Sequence, residues 1–232
     1  MKASIICCYY NEINLVKTKL LSFIDFIKKE RLDTEIIIVD NNSNDGTTDF
    51  LTELSQKECY QDIKFIFNSS NLGKGGSIKK ACAIASGKLA CVFDIDEYSY
   101  GDLVSGIRYF DNHEVDLLIG SRILKNKKFI YKRNLYGVIA LTILINKLFN
   151  LNLTDAAGAT KIFKLEPYNL TIIHTSGFNF EFELICKFAK KKFIINEYPN
   201  EYDPRTYAQG KKISPFKDGV RILITIVKSY FI

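Results

Sequence analysis

Three short apolar runs in the N-terminal part of the chain each stop at a cluster of polar residues. They are Ser4–Tyr9, Glu35–Val39 and Leu89–Phe93. A short apolar run bounded by turn residues is typical of a buried strand. Between the first two runs, apolar residues recur at a roughly helical spacing, at Leu15, Leu20, Ile24 and Ile27. The pattern therefore predicts a β-α-β unit and a parallel sheet.

A glycine-containing turn follows the next predicted strand. The sequence predicts a short helix from Thr48, a strand at Ile63–Phe67, and then the turn Asn68–Gly76, which opens a helix ending at Gly87. Glycines allow a turn and a helix start to approach a ligand or a neighbouring strand, and Lys74 adds a positive charge that suits a phosphate. A turn that only connects strand to helix explains the same residues.

Two aspartates spaced one residue apart follow the third apolar run. Carboxylates at the carboxyl end of a strand lie at the edge of a parallel sheet, where open α/β folds bind their ligands. Because side chains alternate along an extended chain, Asp94 and Asp96 are expected on one side of it, where both reach one hard cation. This arrangement suits a divalent metal and a diphosphate, although two solvated loop carboxylates would give the same short pattern.

The composition is that of one domain without a linker, repeat or low-complexity tract. The chain has 232 residues, 47% of them hydrophobic, which is enough for a single large core. Its six cysteines lie mostly inside apolar runs without the spacing of a metal site, which predicts buried free thiols in a reducing cytosol. The first apolar run is too short for a signal sequence and is expected to begin the fold itself.

Basic residues flank two apolar stretches in the second half of the chain. The formal net charge is +6, and the apolar stretches are 135–151 and 220–232. The flanking residues are Lys125, Lys127, Lys128, Lys132 and Arg133, then Lys187, Lys190, Lys191 and Lys192, then Lys211, Lys212 and Lys217. Basic flanks suit a peripheral position on an anionic membrane surface, and helices that pack on the sheet or on a partner subunit explain the stretches equally well. Polar and charged residues interrupt both stretches before the roughly 20 residues of a spanning helix. The basic residues do not form one element that would bind nucleic acid.

An ordered set of motifs in the first half carries a resemblance to a known family. The motifs are Tyr10-Asn11-Glu12, Val39-Asp40-Asn41-Asn42-Ser43-Asn44-Asp45-Gly46-Thr47, Asn71-Leu72-Gly73-Lys74-Gly75, Ala85-Ser86-Gly87 and Asp94-Ile95-Asp96. In this order they resemble the nucleotide-sugar half of family 2 glycosyltransferases. The resemblance implies the GT-A fold, which is a Rossmann-like, mostly parallel α/β sheet flanked by helices, here with C-terminal amphipathic helices.

Further motifs in the second half resemble the polyprenyl-phosphate branch of that family, which includes dolichyl-phosphate mannose synthases and bacterial polyprenyl-phosphate glucosyltransferases. The motifs are Ile119–Arg122, Thr154–Phe163, Gly177–Leu184 and Asp203-Pro204-Arg205. The resemblance spans nearly the whole chain. It implies one glycosyltransferase domain over 1–232, with a nucleotide-sugar-binding half at 1–120 and an acceptor-binding half at 121–232.

The resemblance also implies roles for particular residues. Asp40 is expected to contact the base of the nucleotide, and Asp94 and Asp96 are expected to hold Mn²⁺ or Mg²⁺. Arg122 and three further basic residues match family positions assigned to phosphates: Arg133, Arg205 and Lys211. The remaining residues expected at the nucleotide sugar are Tyr10, Glu12, Lys74, Gly75 and Ile95. The expected catalytic residues are Asp94, Asp96, Asp155 and Arg122.

Several positions depart from the family pattern. Cys8 replaces a usual proline, Asn41 replaces an acidic residue that often follows Asp40, and Ala159 replaces an aromatic residue. The segment after Asp96 reads Glu97-Tyr98-Ser99-Tyr100-Gly101 where the family commonly has a polar amide followed by His-Pro. These changes bear on metal coordination, donor choice and the shape of the acceptor side.

The predicted function is an inverting, metal-dependent transfer of a hexose from a UDP- or GDP-linked sugar to polyprenyl or dolichyl phosphate, at the cytoplasmic face of a membrane. A lipid phosphate is ionised near neutral pH, so it needs cations rather than a general base. One alternative acceptor is a glycan or glycolipid hydroxyl in surface-polysaccharide synthesis, which would need Asp155 or Glu181 as the base. A catalytically silent nucleotide-sugar-binding module is a second alternative, and an oligomer is compatible with all three.

Overall fold

The computed structural model of the chain describes residues 1–96, 98–125, 132–203 and 215–231, with the backbone alone at 132, 133, 215 and 216. Within these residues, seven strands form one sheet. The strands are β1 (Ala3–Tyr9), β2 (Thr34–Asp40), β3 (Lys64–Phe67), β4 (Leu89–Val92), β5 (Leu117–Ser121), β6 (Lys161–Lys164) and β7 (Ile195–Pro199).

The sheet is mostly parallel, as the sequence predicts. Its strand order is β3-β2-β1-β4-β6-β5-β7. The first four strands in this order run parallel, β5 and β7 also pair in parallel, and β6 runs antiparallel between β4 and β5. Because β6 comes from the second half of the chain and lies between two strands that precede it, the two predicted halves share one sheet.

Helices cover both faces of this sheet. They are α1 (Ile13–Leu15), a π-helical turn (Val16–Leu20), α2 (Leu21–Lys29), α3 (Thr47–Ser55), a 3-10 turn (Glu58–Tyr60), α4 (Gly73–Ile84), α5 (Tyr100–Asn112), α6 (Arg122–Lys125), α7 (Lys132–Phe149), α8 (Leu165–Asn169), α9 (Phe180–Lys190) and α10 (Pro215–Phe231). Successive strand residues enter different cores: Ile5 and Cys7 pack with α2 and α5, and Ile6 packs with α4 and α9. Strands buried on both faces explain the continuous apolar runs in the sequence.

The cysteines are free, as predicted, and four of them are buried. Burial raises the pKa of the Cys82 thiol to about 12, so this thiol stays protonated and unreactive at neutral pH. Cys59 is exposed, which differs from the predicted burial because it lies in the 3-10 turn and not in an apolar run.

The carboxyl ends of β1, β2, β4, β5 and β7 lie at one edge of the sheet, because these strands run in the same direction. Strand β6 runs the other way and therefore begins at this edge. The residues after Tyr9, Asp40, Val92 and Ser121 and the loop before Lys161 are thus brought together. This edge is where an open α/β sheet binds its ligands.

At the opposite edge of the sheet, Glu35 at the start of β2 binds side chains and backbone from neighbouring segments. Its carboxylate accepts hydrogen bonds from Ser4 Oγ and from the backbone N–H and Oγ of Ser86, and it forms an ion pair with Lys64 (2.7 Å). Burial alone would raise the pKa of the Glu35 carboxyl, but these partners together lower it to about 2.

We expect Glu35→Gln to destabilise the protein by about 1.5–3 kcal/mol at pH 7, because buried donors lose a charged acceptor. The pKa of the Glu35 carboxyl is lower in the folded protein than in the unfolded chain. The stabilisation that the ionised carboxylate provides is therefore present above about pH 5 and is lost as the pH falls towards 2. Urea unfolding at about pH 7 and about pH 3 measures the difference. Asp62→Asn, at an exposed ion pair, is the control. An equal effect of Glu35→Gln at both pH values would contradict this assignment.

Candidate active site

The two aspartates that follow β4 lie at the ligand-binding edge, but in a turn and not on an extended strand. Strand β4 ends at Val92, and Ile95 and Asp96 form the turn. Asp94 is 26% exposed and Asp96 is 9% exposed. The expectation that they share one side of an extended chain is therefore wrong, because the strand ends before them. Ile95 packs in the hydrophobic core, so any contact with a nucleotide would come from its backbone.

The chemistry of these two carboxylates fits a hard divalent cation. Among the residues that the structure describes, no three His, Cys, Asp or Glu side chains are grouped closely enough to hold a metal by themselves. Mg²⁺ is commonly bound by one or two carboxylates together with substrate phosphates and water. Asp94 and Asp96 offer this partial set of ligands, and the phosphates of a nucleotide sugar would complete it.

Lys74 lies directly against the aspartate pair. Its Nζ is 2.8 Å from Asp94 Oδ2 and 2.8 Å from Glu181 Oε1. Burial alone would lower the pKa of the Lys74 ammonium, but the two carboxylates raise it well above its ordinary value. The lysine that the sequence places near a phosphate thus carries a fixed positive charge beside Asp94.

The glycines around Lys74 allow the start of α4 to approach the start of α9. A Cβ at Gly75 would lie 2.5 Å from Phe180 Cβ, and a Cβ at Gly73 would lie 2.5 Å from the Ser176 carbonyl oxygen. The backbone N–H of Gly76 donates to that same oxygen at 3.0 Å. The sequence predicts that these glycines face a ligand or a neighbouring strand. In the structure they face residues 176–180, which lead into α9. Gly75 contact with a ligand stays a prediction.

Asp40 orders the turn after β2. Its carboxylate is 1% exposed and accepts hydrogen bonds from Ser43 Oγ at 2.6 Å and Thr48 Oγ at 2.8 Å. Tyr10 and Glu12 lie partly exposed beside this turn, and the backbone N–H of Glu12 donates to Thr47 Oγ. The turns after β1 and β2 therefore form one surface, and the predicted contacts of these residues with a nucleotide remain predictions.

The amide at position 41 explains the departure from the family's acidic residue. Asn41 Nδ2 donates to Asn71 Oδ1 at 2.9 Å, and Asn41 Oδ1 accepts from Leu72 N–H at 2.9 Å and Asn68 Nδ2 at 3.1 Å. A carboxylate could accept these bonds but could not donate one. This network fixes the loop before α4, and the sequence signal for it is the asparagine at the end of each neighbouring strand.

Arg122 and Asp155 form a two-point ion pair after β5, in the half of the chain predicted to bind the acceptor. Arg122 Nε is 2.7 Å from Asp155 Oδ2 and Nη2 is 2.8 Å from Oδ1, while the Arg122 backbone N–H also donates to Oδ2. Asp155 is 0% exposed. Burial would raise the pKa of its carboxyl, but Arg122 lowers it below its ordinary value. Both oxygens of Asp155 are thus engaged by Arg122, and the lowered pKa makes this carboxylate a weak base towards a hydroxyl.

The segment after Asp96 reaches across to this ion pair. Tyr98 Oη accepts a hydrogen bond from the backbone N–H of Ala159 at 3.2 Å, and the rings of Tyr98 and Tyr202 lie 5.4 Å apart. The Arg122 guanidinium lies over the Tyr202 ring at 5.1 Å. The residues that replace the family's usual pattern here therefore connect the turn of Asp94 and Asp96 to the Arg122–Asp155 ion pair.

Glu181 and Lys161 are buried ionisable residues, and the sequence predicts no role for Lys161. Lys161 begins β6 and is 1% exposed; burial lowers the pKa of its ammonium. Its Nζ lies 3.9 Å from Glu181 Oε2 and donates to the carbonyl oxygens of Gly158 and Ala156. Strand β6 reads Lys161-Ile162-Phe163-Lys164, so the sequence has a lysine at each end and no signal that one of them is buried.

Three predicted phosphate ligands cannot be placed relative to these residues. Arg205 and Lys211 lie outside the described residues, as does Glu97 after the metal motif. Arg133 belongs to α7, where the structure describes only its backbone. Their contacts stay predictions.

Comparison with known proteins relates the chain to sugar transferases. Residues 4–170 match the family model described as Glycosyl transferase family 2. The dolichyl-phosphate beta-glucosyltransferase of Saccharomyces cerevisiae is 26% identical over an alignment of 257 positions. The alignment covers 97% of this chain and 72% of that protein. The Dictyostelium discoideum protein of the same name is 24% identical, over 98% of this chain and 73% of that protein.

Solved structures share the fold at low identity. Glucosyl-3-phosphoglycerate synthase from Mycobacterium tuberculosis, in complex with Mn²⁺, UDP and glucosyl-3-phosphoglycerate, has a TM-score of 0.72 and 14% identity over 100% of this chain and 80% of that chain. The mannosyltransferase PcManGT from Pyrobaculum calidifontis, in complex with GDP-Man and Mn²⁺, has a TM-score of 0.57 and 17% identity over 98% of this chain and 73% of that chain.

Proposed function

The chain belongs to glycosyl transferase family 2 and has the predicted GT-A fold, and on this basis we propose that it transfers a hexose from a nucleotide sugar to a polyprenyl or dolichyl phosphate. The observation that carries the proposal is the alignment of 97% of the chain with a dolichyl-phosphate beta-glucosyltransferase. The site supports it, because carboxylates that suit a metal and an arginine that suits a phosphate lie at one sheet edge.

On the donor side, Asp94 and Asp96 would hold Mn²⁺ or Mg²⁺ together with the diphosphate of the nucleotide sugar. A bound divalent cation would neutralise the negative charge of the leaving diphosphate. Lys74, which is fixed beside Asp94, adds a second positive charge close to that position. The turns that carry Tyr10, Glu12 and Asp40 would bind the nucleoside.

On the acceptor side, Arg122 would bind the lipid phosphate, assisted by Arg133, Arg205 and Lys211. Asp155 and the Tyr202 ring hold the guanidinium in place, so little conformational entropy is lost when a phosphate binds. An ionised phosphate oxygen would attack the anomeric carbon opposite the leaving group and so invert its configuration. Because Asp155 is engaged by Arg122, the site favours this acceptor over a hydroxyl that must be deprotonated.

The outer face of α10 would place the site on a membrane. Exposed apolar residues follow one stripe at helical spacing, at Val220, Leu223, Ile224, Val227 and Phe231. The buried face, at Ile222, Thr225, Ile226 and Ser229, packs towards α9, where Asn179 donates to Thr225 Oγ. Arg221 and Lys228 lie exposed beside the stripe. In the part of the chain that the structure describes, no helix is both long and apolar enough to span a bilayer. We propose a peripheral position at the cytoplasmic face of a membrane, because the exposed apolar stripe of α10 has basic residues beside it.

We expect Leu223→Asn combined with Val227→Asn to weaken binding to anionic lipid vesicles at least tenfold without lowering stability, because both side chains are about two-fifths exposed. Vesicle co-sedimentation measures the binding. Ile84→Asn, at an apolar residue exposed to a similar extent on α4, is the matched control. Unchanged vesicle binding of the double variant would contradict the membrane-facing assignment.

The acceptor is tested by Arg205→Ala. We expect the apparent KM for polyprenyl phosphate to rise, or turnover to fall, about tenfold, with nucleotide binding nearly unchanged, because a charge-assisted contact to a phosphate is lost. Arg108→Ala, at an exposed arginine on α5, is the control. If Arg205→Ala is tolerated and short-chain polyprenyl phosphate accepts no sugar while a glycan hydroxyl does, the lipid-phosphate proposal is wrong.

A further inference from the structure

Glu181 lies between two buried lysines at the start of α9. Its Oε1 is 2.8 Å from Lys74 Nζ, and its Oε2 is 3.9 Å from Lys161 Nζ. The Glu181 side chain is 8% exposed and the Lys161 side chain is 1% exposed. One carboxylate therefore forms ion pairs with two ammonium groups in a region from which water is largely excluded.

Each lysine is also bound to a different part of the site. Lys74 Nζ contacts Asp94 of the metal motif at 2.8 Å. Lys161 Nζ donates to Gly158 O and Ala156 O, which belong to the turn that directly follows Asp155. Glu181 is thus the common partner through which the donor side and the acceptor side are joined.

The formal charges of this group cancel, with two carboxylates, Asp94 and Glu181, and two ammonium groups, Lys74 and Lys161. Neutralising one member of a buried ion pair is costly because it leaves an uncompensated charge. Without the carboxylate that they share, the repulsion between Lys74 and Lys161 would be uncompensated, and one or both would leave its second partner.

We propose that Glu181 is a positioning residue that fixes Asp94 and the turn after Asp155 relative to each other, by holding Lys74 and Lys161 together. The inference rests on the proposed function only in taking this sheet edge as the donor and acceptor site. It assigns Glu181 a role different from that of a general base, because both of its oxygens face ammonium groups.

The test is calorimetric titration of the protein with UDP or GDP in the presence of Mn²⁺, which needs no acceptor. We expect Glu181→Gln to weaken nucleotide binding at least tenfold, because Lys74 and Asp94 are displaced. Combining Glu181→Gln with Lys161→Met restores the charge balance and removes the repulsion, so it should recover at least half of that loss on a logarithmic scale. Glu181→Asp, which keeps the charge on a shorter side chain, should bind with intermediate affinity and keeps the test decisive if Glu181→Gln does not fold.

Glu183→Gln is the matched control. Glu183 lies two residues further along α9 and is equally buried, but it accepts hydrogen bonds from the backbone N–H groups of His174 and Thr175. Its substitution should leave nucleotide affinity unchanged. If Glu181→Gln binds the nucleotide as tightly as the wild-type protein, as expected for a general base, the proposal is overturned. It is also overturned if the double variant binds the nucleotide no more tightly than Glu181→Gln. A wild-type protein that binds the nucleotide but does not glycosylate polyprenyl phosphate would instead overturn the proposed acceptor.

Discussion

Asp96→Asn is expected to abolish sugar transfer, with a loss of turnover of about a thousandfold or more. The substitution keeps the size of a side chain that is only 9% exposed but removes the charge that would bind the metal. Without charge compensation on the leaving diphosphate, the barrier should rise by roughly 4 kcal/mol or more. Asp94→Asn should have a smaller effect, because Lys74 remains beside that position. Transfer of label from a nucleotide sugar measures both.

The corresponding structural control is that urea unfolding of Asp96→Asn should resemble that of the wild-type protein. Asp111→Asn, at an exposed aspartate on α5, should change neither activity nor stability. Full activity in the double variant Asp94→Asn with Asp96→Asn, or activity unaffected by a metal chelator, would remove the metal from the proposed mechanism.

Arg122→Met is expected to destabilise the protein by about 3–5 kcal/mol, the largest stability effect that the site predicts. Asp155 is 0% exposed, so removing the guanidinium leaves its carboxylate buried without its counter-charge. Adding Asp155→Asn removes that charge, and the double variant should recover at least half of the lost stability in urea unfolding. It should still transfer poorly to a lipid phosphate, because the arginine is absent.

A double variant no more stable than Arg122→Met would show that the carboxylate is not the source of the penalty. Full transfer activity in the double variant would exclude Arg122 from phosphate binding. Lys125→Met is a suitable control, because Lys125 lies on the same helix and pairs with Asp102 at an exposed position.

The parallel pairing of the first strands, and the sheet edge that carries the candidate site, follow from the sequence because they depend on local pattern. Apolar runs ending at Tyr9, Val39 and Phe93 predicted a parallel sheet, and a parallel sheet brings the polar residues after those runs to one edge. The antiparallel insertion of β6 between β4 and β5 was not predictable, because strand pairing depends on contacts between residues far apart in the chain.

The partners of charged residues could not be predicted, because a sequence does not reveal which side chains share a buried space. The sequence left Asp155 as a candidate base, and only its two contacts with the Arg122 side chain indicate a holding role. Lys161 could not be recognised as buried. The amphipathic pattern of α10 was visible, but the sequence did not indicate which face packs on α9, because the buried side carries two polar residues, Thr225 and Ser229.

The most direct test of the proposed function is mass spectrometry of the product formed from a nucleotide sugar, Mn²⁺ and a short-chain polyprenyl phosphate, with UDP- and GDP-linked hexoses tried separately. We expect one hexose joined to the lipid through the phosphate, with the anomeric configuration opposite to that of the donor. Absence of this product with every donor, or transfer only to a glycan hydroxyl, would contradict it.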